Sequence, residues 1–515
     1  MTVKNPATGE IIADFIEDKA EVCVEAVQKC REAQRSWAAV SPAERGKLLM
    51  KVRGRIIGRK DELARMISDC TGKTLIDALA TEVLPSAVSV GYYVREGKKF
   101  LKPKKLKGSS ILFFNKDSRL YQQPWGVVGI ISPWNYPYGI PFHEVFTALV
   151  AGNGVVLKLA SQAQPLAGLF SELFAECGLP EHLLTVINVK GREAGRALLD
   201  AGINKLFFTG SVAVGKRLME EAAKTLTPVS LELGGNDGMI VAADANISRA
   251  AEGAVWAGIS NCGQSCGGVE RIYVHETVYD RFMSVLKEKI EALRQGPDTD
   301  CNTDLGSLTT EKQLETVKAH IAEALGQGAA IAAQSPDYAG NGFFHPAVVL
   351  ENVNHSMTVM KEETFGPVLA VMKVASEEEA VRLTNDSNLG LTSSVWSKNR
   401  KKATGIAERI EAGAITLNDH LMSHGMSETP WGGFKESSIG RSHGQPGLQE
   451  MTQPKVIIHD RLHLLPRNIW WHPYSPRIYT GLSGALDAFY SKSPTKRITG
   501  LVRVAGLYIE RLTKG

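Results

Sequence analysis

The chain has 515 residues, 43% hydrophobic and 22% charged, as expected of a globular protein with two or three domains. A net charge of +4 over this length is too small to indicate a nucleic-acid partner. Seven cysteines, an odd number scattered along the chain, do not form a disulfide framework and favour a reducing, cytoplasmic location. The first residues lack a basic segment followed by an apolar run, so no signal peptide is expected.

The N-terminal part is predicted to be helical. The stretches AEVCVEAVQKCREAQRSWA and AERGKLLMKVRGRIIGRKDELARMIS place apolar residues at helical spacing, with charged faces opposite. After them, the run SSILFFNKDSRLYQQP alternates around NKDS, which predicts a β-hairpin. The segment KVIIHD near Lys455 is predicted to be a lone strand, and both features are candidates for edges that pair between subunits.

From about Tyr121 the pattern changes to short apolar runs that alternate with helical stretches. Runs such as GVVGIISP, NGVVLKLA and KLFFTGS are typical of buried parallel strands linked by helices. A second series begins at RIYVH and continues through PAVVLENV, VLAVMKV and GAITLND. We therefore predict an α/β protein with two doubly wound domains in tandem.

A glycine-containing loop indicates a nucleotide site. GSVAVGKR, residues 210–217, has the spacing of a phosphate-binding P-loop, but Arg217 stands where that motif needs a hydroxyl for magnesium. The sequence therefore disfavours a P-loop nucleoside triphosphatase. The run KLFFTG leading through Gly210 and Ser211 into a helix still offers free backbone N–H groups to a pyrophosphate, or is simply a strand-to-helix turn.

Glu232 and two cysteines are candidate reactive groups. Glu232 follows apolar residues in VSLELGG; a carboxylate at the end of a buried strand serves as a general base or forms an ordinary salt bridge. Cys262 and Cys266 lie four residues apart in SNCGQSCGG, which leaves a metal site, a redox pair, core packing and a nucleophile open. Small neighbours leave room for a substrate, and nearby backbone N–H groups would favour a thiolate.

Seven motifs together resemble the aldehyde dehydrogenase superfamily, in the order that family shows. They cover the chain from Asn5 to about Asp460 and are SPWNYP (132–137), KLAS (158–161), FTGS (208–211), LELGG (231–235), NCGQSC (261–266), EETFGPV (362–368) and PWGGFKES (430–437).

The resemblance implies roles for three catalytic residues. Cys266 is implied as the nucleophile that attacks an aldehyde carbonyl, and the Asn135 side chain with the Cys266 backbone N–H as the oxyanion site. Glu232 is implied as the base that activates water to hydrolyse the resulting thioester. The cofactor is implied to be NAD or NADP, and no metal is expected. Residues implied to bind the cofactor are Trp134, Lys158, Ser161, Gly210, Ser211, Gly234, Glu363 and Phe365.

The resemblance also implies the architecture, with assembly as a homodimer or homotetramer. The expected divisions are a dinucleotide-binding domain (1–104 and 123–233), a catalytic domain (234–440), a bridging and oligomerisation element (105–122 and 441–460) and a C-terminal extension (461–515).

Two features depart from the family pattern. Ser161 stands where many NAD-preferring members carry a glutamate, which makes NADP feasible with Lys158 as a phosphate partner. The extension, which includes Trp470 and Trp471, has nine Lys/Arg against two acids, so it carries +7 and the rest of the chain −3. Its apolar runs are too short for a helix that spans a bilayer. A peripheral membrane contact, a lid over the substrate entrance and packing between subunits remain open as roles for the extension.

The function predicted from the sequence is oxidation of an aldehyde to a carboxylic acid with NAD or NADP. The small-molecule substrate is hypothesised to be a medium- or long-chain apolar aldehyde, because of the extension alone. Tyr136, His143 and the stretch around His420 and His424 do not identify it. Two rivals are a relative that transfers the acyl group to coenzyme A and a catalytically silent scaffold of the same fold.

Overall fold

The computed structural model describes residues 1–464, 467–469 and 471–513, so Trp470 lies outside the described residues. The strands are β1 (Thr2–Lys4), β2 (Ile11–Asp14), β3 (Lys104–Lys105), β4 (Lys116–Pro124), β5 (Val127–Ile131), β6 (Gly154–Lys158), β7 (Leu184–Ile187), β8 (Lys205–Thr209), β9 (Val229–Glu232), β10 (Asp237–Val241), β11 (Val269–His275), β12 (Ala330–Gln334), β13 (Val348–Glu351), β14 (Val368–Val374), β15 (Leu389–Gly390), β16 (Thr392–Trp396), β17 (Ala414–Leu417), β18 (Phe434–Lys435), β19 (Ser438–Ile439) and β20 (Thr452–Asp460).

The α-helices are α1 (Val22–Ala39), α2 (Pro42–Leu49), α3 (Lys51–Gly58), α4 (Lys60–Thr71), α5 (Leu75–Ala78), α6 (Leu84–Phe100), α7 (Gly139–Ala151), α8 (Leu166–Ala175), α9 (Gly191–Asp200), α10 (Val212–Ala223), α11 (Ile247–Ile259), α12 (Tyr279–Glu291), α13 (Glu311–Gly326), α14 (Glu377–Asn385), α15 (Arg400–Ala407), α16 (Met422–Gly425), α17 (Gly444–Glu450), α18 (Pro476–Tyr490) and α19 (Pro494–Thr513). A π-helical turn, Leu79–Val83, joins α5 to α6.

The first large sheet has the strand order β19-β9-β8-β5-β6-β7. All neighbours are parallel except β19, which pairs antiparallel with β9. Strands β5, β6 and β8 are wholly buried, because one apolar cluster covers each face of the sheet. Burial on both faces explains their unbroken apolar sequences.

The second large sheet has the order β12-β13-β14-β11-β10-β16-β17, and only the edge strand β12 runs antiparallel to its neighbour. Its core is a separate apolar cluster. The predicted α/β fold with two parallel-sheet domains is therefore confirmed.

The chain divides into two compact units. Residues 1–102 and 122–453 form one unit, which contains both large sheets, and residues 103–121 and 454–515 form the other. The domain boundaries proposed from the sequence divide the chain more finely and stay predictions.

The second unit contains most of a small sheet of order β20-β4-β3. The hairpin predicted around NKDS is wrong: Asn115 precedes β4, Lys116 begins it, and β4 pairs antiparallel with β3. The short helical turn Ile111–Phe113 takes the place of the first arm. Strand β20 is an edge whose apolar residues Val456–Ile458 are exposed, so pairing between subunits stays a prediction there.

Among the described helices, none alone is long and apolar enough to cross a bilayer. Only a bent combination, Lys60–Thr71 with Leu75–Phe100, meets the length and composition requirement, with 120° between its parts.

A buried ion pair fixes the segment that follows β5. Lys73 Nζ lies 2.6 Å from Glu82 Oε1, and neither side chain is exposed. Glu82 Oε2 also accepts hydrogen bonds of 2.9 Å from the backbone N–H groups of Tyr138 and Gly139, at the start of α7. Lys73 Nζ donates in addition to the carbonyl oxygen of Asn135, at 2.7 Å. The pair therefore joins the α4–α6 region to the carboxyl end of β5.

Substitution Glu82→Ala is expected to destabilise the fold by about 3–5 kcal/mol, because it leaves the Lys73 ammonium buried without its partner. Denaturant unfolding followed by tryptophan fluorescence measures the difference. Glu25→Gln, which removes an exposed ion pair with Lys29, is the control and is expected to leave the unfolding midpoint unchanged. Equal effects of the two substitutions would contradict this account.

Candidate active site

Three cavities meet at Cys266. The first, of about 360 Å³, is lined by Asn135, Ser211 and Glu363 among others and is called the polar cavity. The second, of about 390 Å³, has mainly apolar walls and is called the apolar cavity. The third, of about 20 Å³, also borders Glu232 and is called the small cavity.

The two large sheets supply these residues from specific edges. Asn135, Ser211 and Glu232 follow or end the parallel strands β5, β8 and β9, so they share the carboxyl edge of the first sheet. Cys266 and Glu363 precede the neighbouring strands β11 and β14 and share the amino edge of the second sheet. The site therefore lies where these two edges meet, and parallel α/β sheets bind ligands at their carboxyl edges.

The loop that carries Cys266 is irregular. Helix α11 ends at Ile259, and Asn261 and Cys262 both adopt left-handed backbone angles, with φ of 55°. The four-residue spacing of Cys262 and Cys266 is therefore not a helical turn. Gly263, with φ of 71°, has no room for a side chain, since a Cβ there would lie 2.0 Å from the Gly366 carbonyl oxygen.

Hydrogen bonds from several elements hold this loop. Asp77 Oδ2 accepts from the Asn261 backbone N–H at 2.9 Å, and Asn261 Nδ2 donates to the Asn135 carbonyl at 2.9 Å. The Asn135 side-chain amide donates to the Gln264 carbonyl at 3.1 Å. Asn135 is thus fixed beside Cys266 at both its backbone and its side chain.

His420 supports the other side of the loop. Its Nε2–H donates to the carbonyl oxygen of Gly267, at 3.1 Å, which fixes the tautomer. Burial lowers the pKa of His420 to about 4, so the ring is neutral at physiological pH. The sequence alone did not predict this contact.

The state of the Cys266 thiol differs from the expectation of a thiolate. Burial raises the pKa of the Cys266 thiol above its usual range, and the nearby carboxylates of Glu363, Asp237 and Glu232 raise it further. The backbone hydrogen bond from Gly267 lowers it, but by less. A raised pKa favours the neutral thiol over the thiolate at neutral pH.

Glu232 shares its surroundings with a second carboxyl group that sequence reasoning missed. Burial raises the pKa of Glu232 well above its usual value, and the charge of Glu144 raises it further, against the attraction of Arg441. Burial likewise raises the pKa of Glu144 to about 8, and its Oε1 accepts a hydrogen bond from Thr209 at 3.2 Å. The only sequence signal for Glu144 is a charged residue within the apolar helix GIPFHEVFTALVA.

Histidines complete the wall of the small cavity. The ring centres of His143 and His443 lie 4.6 Å apart, and His424 lies within 6.2 Å of both. Burial lowers the pKa of His143 to about 3 and of His424 to about 4. Within the described residues, Oε2 of Glu232, Oε2 of Glu144 and Nδ1 of both His143 and His443 are buried without a protein partner. Neutral histidines and protonated carboxyl groups suit a cavity that holds water rather than an ion.

Aromatic side chains and a carboxylate form the walls of the polar cavity. The rings of Trp134 and Phe365 meet edge to face with centres 5.5 Å apart. Glu363 Oε1 accepts from the Gly235 backbone N–H at 3.0 Å. Gly234 must lack a side chain, because a Cβ there would lie 2.5 Å from Glu363 Oε2.

Glu270, which sequence reasoning also missed, orients that wall. Its carboxylate accepts hydrogen bonds from the backbone N–H groups of Thr364, at 3.0 Å, and Phe365, at 2.7 Å. Phe365 adopts a left-handed φ of 53°, a conformation that needs such support in a bulky residue. Glu270 is therefore a positioning residue for Glu363 and Phe365.

The N-terminus of one helix and one lysine border the polar cavity. Gly210 and Ser211 precede α10, and Ser211 makes no side-chain cap, so the first N–H groups of α10 are available to an anion. Lys312, absent from the sequence prediction, lines the same cavity. Lys158 and Ser161 do not line it. Lys158 ends β6 with its ammonium group 3.5 Å from where a Cβ at Gly191 would stand, at the start of α9.

The apolar cavity is built around the π-helical turn between α5 and α6. Its walls include Leu84, Trp256, Met422 and Trp431, and its floor includes Tyr136 and Cys266. Of the described residues that line it, Asp77 is the only acid and none is Lys or Arg. The cavity therefore favours an uncharged, apolar ligand.

Alkylation tests the assigned state of Cys266. Iodoacetamide is expected to modify the exposed Cys301 and, more slowly at neutral pH, Cys266, whose rate rises about tenfold per pH unit because only the thiolate reacts. Peptide mass spectrometry at several pH values measures each site. Buried thiols that should resist modification are Cys23, Cys30, Cys70, Cys177 and Cys262. Fast, pH-independent modification of Cys266 would show a thiolate instead.

Comparison with known proteins assigns the family. Residues 1–457 match the model of the aldehyde dehydrogenase family. A 4,4'-diapolycopene aldehyde oxidase of Methylomonas sp. is 36% identical over 488 residues, 95% of this chain and 91% of that protein. A Mycolicibacterium smegmatis protein, provisionally named an NADP-dependent succinate-semialdehyde dehydrogenase, is 35% identical over 459 residues, 88% of each chain.

Solved structures agree. The NAD+ complex of an aldehyde dehydrogenase from Bacillus cereus has a TM-score of 0.85 and 32% identity, over 89% of this chain and 93% of that one. An aldehyde dehydrogenase from Brucella melitensis has a TM-score of 0.84 and 32% identity, over 89% and 93% of the two chains. The chain therefore belongs to the aldehyde dehydrogenase family.

Proposed function

We propose that this aldehyde dehydrogenase oxidises medium- or long-chain apolar aldehydes to carboxylic acids with NAD or NADP. The observation that carries the proposal is the apolar cavity that ends at Cys266. An aldehyde whose hydrocarbon chain fills this cavity presents its carbonyl carbon to the sulfur.

The composition of the cavity distinguishes between the substrates named for the two relatives. A succinate semialdehyde carries a carboxylate, which would lose its water in a cavity whose described walls hold Asp77 and no cation. A diapolycopene aldehyde is a large hydrocarbon with a terminal aldehyde, and the relative named for it is the one that matches 95% of this chain. The cavity therefore supports an apolar substrate.

The side chains around Cys266 fit the first chemical step. Once the thiol proton has passed to solvent, Sγ adds to the carbonyl carbon, and the C=O bond becomes the oxyanion of a thiohemiacetal. The Asn135 side-chain amide and the Cys266 backbone N–H stabilise that oxyanion. Asn135 is fixed by the contacts of its carbonyl oxygen with Lys73 and Asn261 and of its side-chain amide with Gln264. Fixed donors of this kind contribute more than mobile ones.

The polar cavity suits the pyrophosphate and the nicotinamide end of a dinucleotide. The N-terminus of α10 at Ser211 and the ammonium group of Lys312 suit a pyrophosphate, and the Glu363 carboxylate suits ribose hydroxyls. Trp134 and Phe365 form apolar walls for the nicotinamide end. A bound NAD or NADP would supply the hydride acceptor, and loss of the hydride from the thiohemiacetal carbon would leave a thioester on Cys266. Lys158 and Ser161, outside this cavity, would contact the adenosine end.

Release of the acid requires water, and the small cavity fits one molecule. Its volume of about 20 Å³ exceeds the ~10–15 Å³ that a water needs, and it lies between Cys266 and Glu232. Glu232 would remove a proton from that water as it attacks the thioester. The presence of a base, Glu232, at this cavity favours hydrolysis over acyl transfer to coenzyme A.

Aldehydes of graded length test the proposal through the absorbance of the reduced cofactor. Because each buried CH₂ group contributes about 0.8 kcal/mol, kcat/KM is expected to rise about fourfold per added CH₂ until the cavity is filled. Succinate semialdehyde should be a poor substrate. Cys266→Ala should abolish the signal with every aldehyde. A preference for short or carboxylated aldehydes would contradict the proposal.

Leu84→Arg provides a matched test of the cavity wall. Leu84 is half-exposed at the start of α6, so the longer side chain can be accommodated while its charge lies at the cavity. The variant is expected to lose kcat/KM with decanal and to gain with succinate semialdehyde. An unchanged ratio of kcat/KM between decanal and succinate semialdehyde would show that substrates do not enter the apolar cavity beside Leu84.

Glu144→Gln tests the coupling between the two buried carboxyl groups. The charge of Glu144, present above about pH 8, raises the pKa of Glu232, so its removal should let Glu232 ionise at lower pH. Under conditions in which thioester hydrolysis limits the rate, the rise of kcat with pH is therefore expected to shift to lower pH. A burst of reduced cofactor identifies that regime. An unchanged pH dependence of kcat would show that Glu144 does not influence the reaction.

A further inference from the structure

The C-terminal helices α18 and α19 form a tightly packed antiparallel hairpin. Gly484 and Gly500 allow the backbones to approach, since a Cβ at Gly500 would lie 2.4 Å from the Gly484 carbonyl oxygen. Gly481 is similarly covered by Leu507. Arg511 donates to the carbonyl of Trp471 at 2.7 Å and closes the open end of the hairpin. The hairpin thus holds its shape through its own contacts.

The closed end of this hairpin, residues 486–502, is called the hairpin tip. On α18, Leu486 and Tyr490 point away from α19 and are 66% and 67% exposed. On α19, Ile498 and Val502 are 64% and 68% exposed, on the side opposite the buried Gly500. Apolar side chains therefore stand on both outer sides of the tip.

The tip is also basic. Lys492, Lys496 and Arg497 are exposed in and beside the turn that joins the helices. The one acid of the tip, Asp487, lies 3.4 Å from Arg503 and is balanced by it. The whole extension from residue 461 carries +7. Exposed apolar side chains flanked by unbalanced cations are typical of segments that bind anionic membrane surfaces.

The same features disfavour a second copy of the chain as the occupant. A two-fold contact between tips would set Lys492, Lys496 and Arg497 against their own copies. A protein interface also needs one complementary face, whereas the tip is apolar on two opposite sides. A headgroup layer surrounds an inserted tip on every side and satisfies both requirements.

We propose that the hairpin tip inserts into the headgroup region of a bilayer that contains anionic lipids. The apolar side chains reach the acyl boundary, and the cations remain at the level of the lipid phosphates. Such docking would bring the enzyme to a membrane, where apolar aldehydes concentrate. The proposal does not rest on the substrate, because lipid binding is measured without turnover.

Co-sedimentation with vesicles tests it. The wild-type chain is expected to bind vesicles of phosphatidylcholine mixed with phosphatidylglycerol, to bind pure phosphatidylcholine weakly, and to dissociate in high salt. The double variant Lys492→Gln with Lys496→Gln should lower the partition coefficient about 30-fold, at about 1 kcal/mol per cation. The control Lys398→Gln with Lys401→Gln removes equal charge from an exposed site near α15 and should bind like wild type.

Apolar and assembly readouts complete the test. Tyr490→Ser with Ile498→Ser and Val502→Ser should also abolish binding, while oxidation of a short, water-soluble aldehyde remains unchanged in every variant and shows that each is folded. Wild type that ignores anionic vesicles would overturn the proposal. So would light scattering in which the serine variant dissociates to smaller particles, since the tip would then be a subunit interface.

Discussion

The buried ion pair between Lys73 and Glu82 is the contact on which the site depends. It joins the α4–α6 region to the carboxyl end of β5, and Lys73 Nζ also lies 4.1 Å from the ring centre of Tyr136. The neighbouring Asp77 holds the Cys266 loop. One short helical stretch therefore fixes Asn135 and Cys266 relative to each other and also lines the apolar cavity. Burying two charges is costly unless further hydrogen bonds satisfy them, and here the backbone of Asn135, Tyr138 and Gly139 does so.

Desolvation then sets the chemistry. Burial raises the pKa values of Cys266, Glu232, Glu144 and Glu363, and neighbouring carboxyl groups raise those of Cys266, Glu232 and Glu363 further. Without ligands, the side chains around Cys266 therefore carry little charge. This is compatible with an apolar aldehyde in the apolar cavity and leaves no fixed charge in the small cavity. The same arrangement makes Glu232 a stronger base once it ionises.

Much of this was accessible from the sequence, and the reasons for the remainder are physical. Unbroken apolar strands and ordered motifs predicted the two sheets, and Cys266, Asn135 and Glu363 do line one cavity. Glu144, Glu270 and His420 were missed, since each acts through contacts with residues distant in sequence. Local glycines and N–H groups favoured a thiolate, but they reveal nothing of the burial and of the carboxylates that raise the pKa of Cys266. NKDS resembled a turn, but its strand pairing is set by partners outside the segment.

The central claim is that Cys266 forms the covalent intermediate between the apolar and polar cavities. Intact-mass and peptide mass spectrometry of Glu232→Gln, quenched in acid after mixing with decanal and oxidised cofactor, tests it most directly. The account predicts that an acyl group replaces the thiol proton of Cys266, because hydrolysis is slowed. The Cys266 peptide then gains the mass of the aldehyde less two hydrogens. No adduct despite formation of reduced cofactor, or an adduct on another cysteine, would contradict it.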